Sequence, residues 1–131
     1  MKISTKGRYA LTIMIHLGKN YENGSFLSLT EISERENISL KYLEKIMVSL
    51  KNAQFFEVQK GKDGGYKLNR KPEEYTIGEI IRAAEEDLDV TDCVKNNSCP
   101  NKSNCGTYSL WKGLSDEIND YLDGKTLKEF I

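Results

Sequence analysis

What the 131-residue chain lacks narrows its class before any motif is read. No apolar run approaches the 18 or more residues needed to span a bilayer, so no membrane partner is expected. The opening Met1-Lys2-Ile3-Ser4-Thr5-Lys6 goes straight into a polar helix start without a signal-peptide core, and the expected compartment is cytoplasmic. Histidine occurs once, at His16, beside the apolar stripe of the first helix, where it reads as a helix-flank residue rather than a ligand. There is no nucleophile–base pair, phosphate-binding loop or pair of carboxylates on one apolar cleft, and Gly61 to Gly65 links two strand-like runs instead of opening a helix, so an enzyme is not expected. Cysteine is absent from the chain except for Cys93, Cys99 and Cys105, and an odd number argues against a closed disulfide framework.

What is present is a soluble globular composition, 38% hydrophobic and 30% charged, at a length suited to one domain. The net charge of −1 hides a division. Residues 1–72 hold 13 Lys/Arg against 7 Asp/Glu, a balance of +6, and residues 73–131 hold 6 against 13, a balance of −7. A basic front half suits a polyanion, and the acidic back half a different task.

The front half predicts a winged helix-turn-helix. Ser4 or Thr5 can cap a first helix with Ala10, Ile13, Met14 and Leu17 on one face. Asn23-Gly24-Ser25 marks a loop within Asn20 to Ser28, Leu29 to Arg35 forms a short helix burying Leu29 and Ile32, and Glu36-Asn37-Ile38 connects it onward. Ser39 caps a third helix to about Asn52, with Leu40, Leu43, Met47 and Leu50 inward. Lys41, Tyr42, Glu44, Lys45 and Ser49 face outward, with Ser39 at the tip, as a helix entering the major groove requires. Glu44 is the informative one: phosphates repel a carboxylate, which persists beside DNA only by accepting from a base such as the cytosine amino group. Phe55 to Lys60 and Tyr66 to Leu68 read as a hairpin whose loop needs positive φ at more than one position. Lys60 and Lys62 at its tip can reach phosphates or the minor groove, which makes it a wing.

In the back half, Thr76 and Glu79 form a capping box that starts a helix to about Glu86, with Ile77, Ile80, Ile81 and Ala84 apolar. Val90 to Gly106 is polar and contains Pro100, and it reads as a loop. Leu110 to Leu122 is helical again, with Trp111, Leu114, Ile118 and Tyr121/Leu122 at spacings near 3.5, either packed on its own domain or, the favoured reading, forming a seam between two subunits. Thr126 and Glu129 repeat the capping box before a last short turn. The fold class is therefore mainly α with a small β wing: a winged helix-turn-helix over 1–72, then the 90–106 loop and a C-terminal dimerisation helix over 73–131, as one continuous domain.

The C-x5-C-x5-C spacing lacks the tight pairs and the four strong ligands of structural zinc sites. A disulfide would leave one thiol over and be unstable in a reducing cytosol. Three thiolates on a polar loop suit an iron–sulfur cluster, which normally takes four protein ligands; redox-sensing thiols are the alternative. Cluster type stays open, 2Fe–2S being favoured and 4Fe–4S possible.

Ser4-Thr5-Lys6-Gly7-Arg8-Tyr9-Ala10, Ile32-Ser33-Glu34-Arg35, Ile38 to Glu44, Gly64-Gly65-Tyr66 and the cysteine triplet together resemble the IscR/NsrR/CymR family of winged-helix transcription regulators, and its iron–sulfur branch most, over residues 1 to about 130. The resemblance implies a homodimeric regulator, a repressor in the first instance, reading an imperfect palindrome in double-stranded DNA. It also implies that Glu44 and Lys60 contact that DNA and that Cys93, Cys99 and Cys105 are cluster ligands. The chain departs from the pattern at the fourth ligand. The iron–sulfur regulator has a histidine three residues after its third cysteine, where this chain has Tyr108, and the nitric-oxide sensor of the family uses an aspartate where this chain has Arg8, which stays protonated. Tyr108, Asp92, Asp89, Thr5 or Thr12 of a partner, and an exogenous thiol or water remain candidates. The signal follows from this set: cluster, iron or redox status, or nitric oxide. The cysteine-metabolism branch, which lacks the full triplet, supplies the alternative of a thiol- or partner-responsive regulator without a cluster.

Overall fold

The computed structural model describes residues 3–85, 88–95, 101 and 103–131; Cys99 and Pro100, in the middle of the expected 90–106 loop, lie outside the described residues. Helix α1 (Thr5–Lys19) starts at Ser4, whose Oγ accepts from the Gly7 N–H at 3.1 Å. Its stripe Ala10, Ile13, Met14 and Leu17 is buried as the spacing predicts. Within the following loop a turn of 3-10 helix, Tyr21–Asn23, ends at Gly24 with φ 68°. Helix α2 (Leu29–Glu36) closes at Asn37, φ 54°, a left-handed conformation that asparagine tolerates. Ser33 fixes that turn twice: its Oγ donates to the Ile38 carbonyl at 2.5 Å, and its carbonyl accepts from the Ile38 N–H at 3.2 Å.

Helix α3 (Leu40–Lys51) follows Ser39, whose Oγ accepts from the Tyr42 N–H at 3.4 Å. Leu43, Met47 and Leu50 are inward, together with Ile46. Leu40, expected inside, is 37% exposed, because the first turn of the helix projects past the core. The hairpin of β1 (Phe56–Gln59) and β2 (Gly65–Leu68) sets Phe56 opposite Leu68 and Val58 opposite Tyr66. It is shorter than the apolar runs suggest: Phe55 leaves the ladder and enters the core, and Lys60 belongs to the turn. Leu27 extends the hairpin by one bridge, its N–H and carbonyl pairing with Tyr66 at 2.9 and 2.8 Å. Positive φ occurs at Gly61 (106°) and Gly65 (150°), and a side chain at Gly65 would run into the Leu27 carbonyl.

Helix α4 (Ile77–Ala84) begins with the expected capping box, Thr76 Oγ1 accepting from the Glu79 N–H at 3.1 Å and the Glu79 carboxylate accepting from the Thr76 N–H at 3.0 Å. Asp92–Lys95 forms a single helical turn, α5, within the stretch read as irregular loop; Val94, 8% exposed, holds it on the core. Helix α6 runs from Tyr108 to Asp123, and the second capping box starts a 3-10 turn, Leu127–Phe130. Both halves of the chain build the main core: Tyr75, Ile80, Ala84 and Leu127 pack with α1, α2 and α3. Tyr75 is fully buried and satisfied, its hydroxyl donating to the Phe55 carbonyl at 2.6 Å and accepting from the Arg70 N–H at 3.1 Å. The segments before α4 and after α6 pair across a Thr76–Thr126 bridge. The described residues are mostly helical with one two-stranded antiparallel sheet, the winged helix-turn-helix outline expected. No helix among the described residues is long and apolar enough to cross a membrane.

Candidate nucleic-acid interface and cysteine segment

α3 and the wing bring part of the expected DNA-reading set together. Lys41, Glu44 and Lys45 are exposed on one side of α3, and Lys60 and Lys62 are exposed at the tip of the wing. Glu44 borders a hollow between α3 and the hairpin, whose far wall includes Tyr66. Burial pushes the Tyr66 phenol up, and the negative charge of Glu44 pushes it further, so the two groups sense one another across that hollow. No lysine ion pair with Glu44 is found among the described residues, which leaves its oxygens available to an incoming donor.

Three of the expected contacts sit differently. Tyr42 is half-buried, its ring edge-on to Tyr9 with centroids 5.7 Å apart, and it packs against the core beside α1. Ser49 turns away from Glu44 and lines a cleft with Lys6, Asn52, Arg82 and Glu85. The Ser39 oxygen is engaged as the cap of α3, so it has a hydroxyl proton but one fewer lone pair to offer.

The two described cysteines, Cys93 and Cys105, both precede α6 in the chain. Cys93 lies in α5, half-buried, with its Sγ 2.9 Å from Thr91 Oγ1. Cys105 is exposed, three residues before Tyr108, with its Sγ 3.4 Å from Thr107 Oγ1. The Thr107 hydroxyl and N–H, with the Tyr108 N–H, hold the Cys105 thiol below its ordinary range, as hydrogen-bond donors at a helix start do for a thiolate. Cys99 lies outside the described residues, and among the described residues no three His, Cys, Asp or Glu side chains gather as a metal site. Of the candidate fourth ligands, Tyr108 is half-buried at the first position of α6, Asp89 accepts from Ser115 Oγ at 3.0 Å, and Asp92 is exposed. Thr12 donates to the Arg8 carbonyl at 3.2 Å, and Thr5 accepts from the Arg8 guanidinium at 3.2 Å. His16 has a partner of its own, Nε2 lying 2.6 Å from Glu36 Oε1.

Comparison with known proteins decides the family. Residues 3–131 match the Rrf2 family, described as iron-dependent transcriptional regulators. The chain belongs to the Rrf2 family. Among its relatives is the transcriptional regulator IscR of Aliivibrio salmonicida, 39% identical over all of this chain and 77% of that protein. Of solved structures, CymR, the global cysteine regulator of B. subtilis, is 37% identical with a TM-score of 0.81, covering 99% of this chain and 95% of that one. IscR of T. potens is 31% identical with a TM-score of 0.78, covering 99% and 85%. This Rrf2 chain is thus a DNA-binding transcription regulator and not an enzyme, with relatives in both the IscR and the CymR lines.

The sequence reading missed Glu85. Glu85, an acidic residue at the C-cap of α4, is unfavourable against that helix's own dipole, yet it turns back to the start of α1, where its Oε1 accepts from Ser4. No periodicity within either segment foretells a contact between residues 81 positions apart.

Proposed function

We propose that this Rrf2 protein is a homodimeric repressor that reads an imperfect palindrome in duplex DNA and whose operator binding is set by an iron–sulfur cluster on Cys93, Cys99 and Cys105. The observation that carries the proposal is the placement of Cys93 and Cys105. One sulfur sits on the short helix α5, which packs on α6, and the other at the foot of α6 itself, a helix whose outer face is apolar and open. The donor set fits such a group: both described sulfurs have hydroxyl neighbours, and hydrogen bonds from Thr107 lower the pKa of the Cys105 thiol. Cys93, Cys99 and Cys105 would hold the cluster, which supplies a centre sensitive to redox state, iron supply and nitric oxide. For the chain itself, joining these three residues fixes α5 against the start of α6 and thereby the seam that spaces two recognition helices. In the DNA complex Ser39 and Lys41 lie at the tip of α3, Glu44 accepts from a cytosine amino group, and Lys45, Lys60 and Lys62 neutralise phosphates.

Anaerobically purified protein should carry iron and sulfide in equal amounts and be coloured, and Cys99→Ala should lose both while keeping its helix content. A Tyr108→Phe variant with an unchanged spectrum would remove the phenolate from the list of fourth ligands. Colourless, unreconstitutable protein would overturn the cluster. One observation favours a second reading, in which the protein answers to thiol chemistry or a partner without a cluster: the exposed, acidified Cys105 thiol. In that case oxidation of metal-free protein alone would change operator affinity.

A further inference from the structure

The outer stripe of α3 is interrupted by one apolar side chain. Lys41 and Lys45, and Glu44 and Val48, are four residues apart, while Lys41 and Glu44, Lys45 and Val48, and Val48 and Lys51 are three apart, so the five share one face. Val48 on that face is 69% exposed, more than any other large apolar side chain described. Val58 of β1, 50% exposed, borders the same hollow, because it lies two residues beyond buried Phe56 on one strand face and opposite Tyr66 in the ladder. Met47 and Phe56 form the floor and Glu44 one wall of this hollow of about 190 Å³. Two exposed valines thus make an apolar lip directly beside the carboxylate.

The charges around the lip state what covers it. Lys41, Lys45 and Lys51 on α3 and Lys60 and Lys62 on the wing are all exposed, a cationic rim suited to a polyanion. In the major groove of duplex DNA each base pair presents hydrogen-bonding groups, and the C5-methyl of thymine is the apolar group among them. Four residues of helix advance about 6 Å, against a rise of about 3.4 Å per base pair. Val48 therefore sits one to two base pairs from whatever base Glu44 meets.

We propose that Val48, with Val58 beside it, packs on the 5-methyl group of a thymine one or two base pairs from the base read by Glu44, so that the operator is selected for thymine at that step. The inference rests on the DNA-reading function proposed above. Burying one methyl group changes affinity about fourfold.

The test is an operator obtained from a randomised duplex library with the full chain, then remade with deoxyuridine in place of each thymine in turn. Deoxyuridine removes only the methyl group. At one thymine per half-site, binding of the unaltered protein should weaken about fourfold, and at the others it should not change. Val48→Ala should bind the thymine operator about fourfold more weakly and show no further loss with deoxyuridine, since the contact is already gone. Lys60→Ala, by contrast, should weaken both operators equally. Indifference to deoxyuridine at every thymine, or a Val48→Ala protein as sensitive as the parent, would overturn the methyl contact while leaving DNA reading intact. Recovery of no preferred duplex would overturn both.

Discussion

Glu85 Oε1 accepts two hydrogen bonds from Ser4, from the backbone N–H at 2.5 Å and from Oγ at 2.6 Å. Ser4 Oγ in turn accepts from the Gly7 N–H, so a carboxylate from the end of α4 completes the cap of α1 and meets the positive end of its dipole. A side chain at Gly7 would occupy the space of the Glu85 carboxylate and push it off Ser4. Gly7→Ala and Glu85→Ala should therefore each cost about 1 kcal/mol, roughly 3–6 °C in Tm for a domain of this size. The double variant should lose little more than either single one, because both remove the same contact. Additive losses in thermal unfolding would show that the two residues act separately.

Lys60 and Lys62 at the tip of the wing are exposed, and if they sit on phosphates each should contribute about 0.9 to the slope of log K against log salt concentration. Lys60→Ala and Lys62→Ala should then weaken binding to all duplexes alike. Glu44→Ala should act in another way, relaxing preference at one base pair by about 1–3 kcal/mol of discrimination with an unchanged salt slope. Fluorescence anisotropy across a salt series separates the two behaviours. A Glu44→Ala protein with unaltered base preference would remove Glu44 from the readout.

Local signals carried most of the fold. Serine caps at Ser4 and Ser39, the capping boxes at Thr76 and Thr126, and the stripe of α1 all lie within a few residues of what they specify. The hidden features join distant segments. Tyr75 closes the wing onto α4 through the Phe55 carbonyl, twenty residues away, and Glu85 reaches Ser4, and no window of neighbouring residues contains both partners. The apolar stripe of α6 shows the same limit: Leu122 packs inward with Ile77, Ile81 and Leu88, while Leu110, Leu114 and Tyr121 stay exposed. A spacing near 3.5 cannot separate two faces that lie so close around one helix. In α3 the spacing assigned Tyr42 and Ser49 to the Glu44 face, whereas Tyr9 draws Tyr42 toward α1 and Ser49 faces α4.

Glu79 links the wing to α4, pairing with Arg70 at 2.8 Å while capping its own helix. Burial pushes its carboxyl up, but hydrogen bonds from Thr76 and Arg70 and the guanidinium charge outweigh this and hold it below its ordinary value of 4.5. A carboxyl whose pKa is lower in the folded state stabilises it above the unfolded value and loses that contribution as pH falls through the lower, folded one. Stability should thus be level above pH 4.5 as far as Glu79 is concerned and decline below it. Glu79→Gln should be less stable at neutral pH and show a shallower acid decline in urea melts collected from pH 6 to 3. Parallel acid profiles for the two proteins would place the acid sensitivity elsewhere.

The last prediction concerns the outer face of α6. Leu110, Leu114 and Tyr121 are 59%, 43% and 64% exposed, and with half-buried Ile118 they recur every three or four residues along a single face. The opposite side of the helix is fixed to its own subunit, where Arg82 pairs with Asp123 at 2.6 Å and with Asn119 at 2.6 Å, and Ser115 is buried against Asp89. An apolar row of this length on a helix already tied down behind suits a seam with a second copy, since a twofold pair sets recognition helices about 34 Å apart for a palindrome. Leu114→Lys places a charge in the middle of that row without touching the core, so it should halve the mass seen by light scattering and leave helix content unchanged. Affinity for a palindromic operator should fall at least tenfold, while affinity for a single half-site should stay near the parent value. A Leu114→Lys protein that remained dimeric would place the seam on another surface.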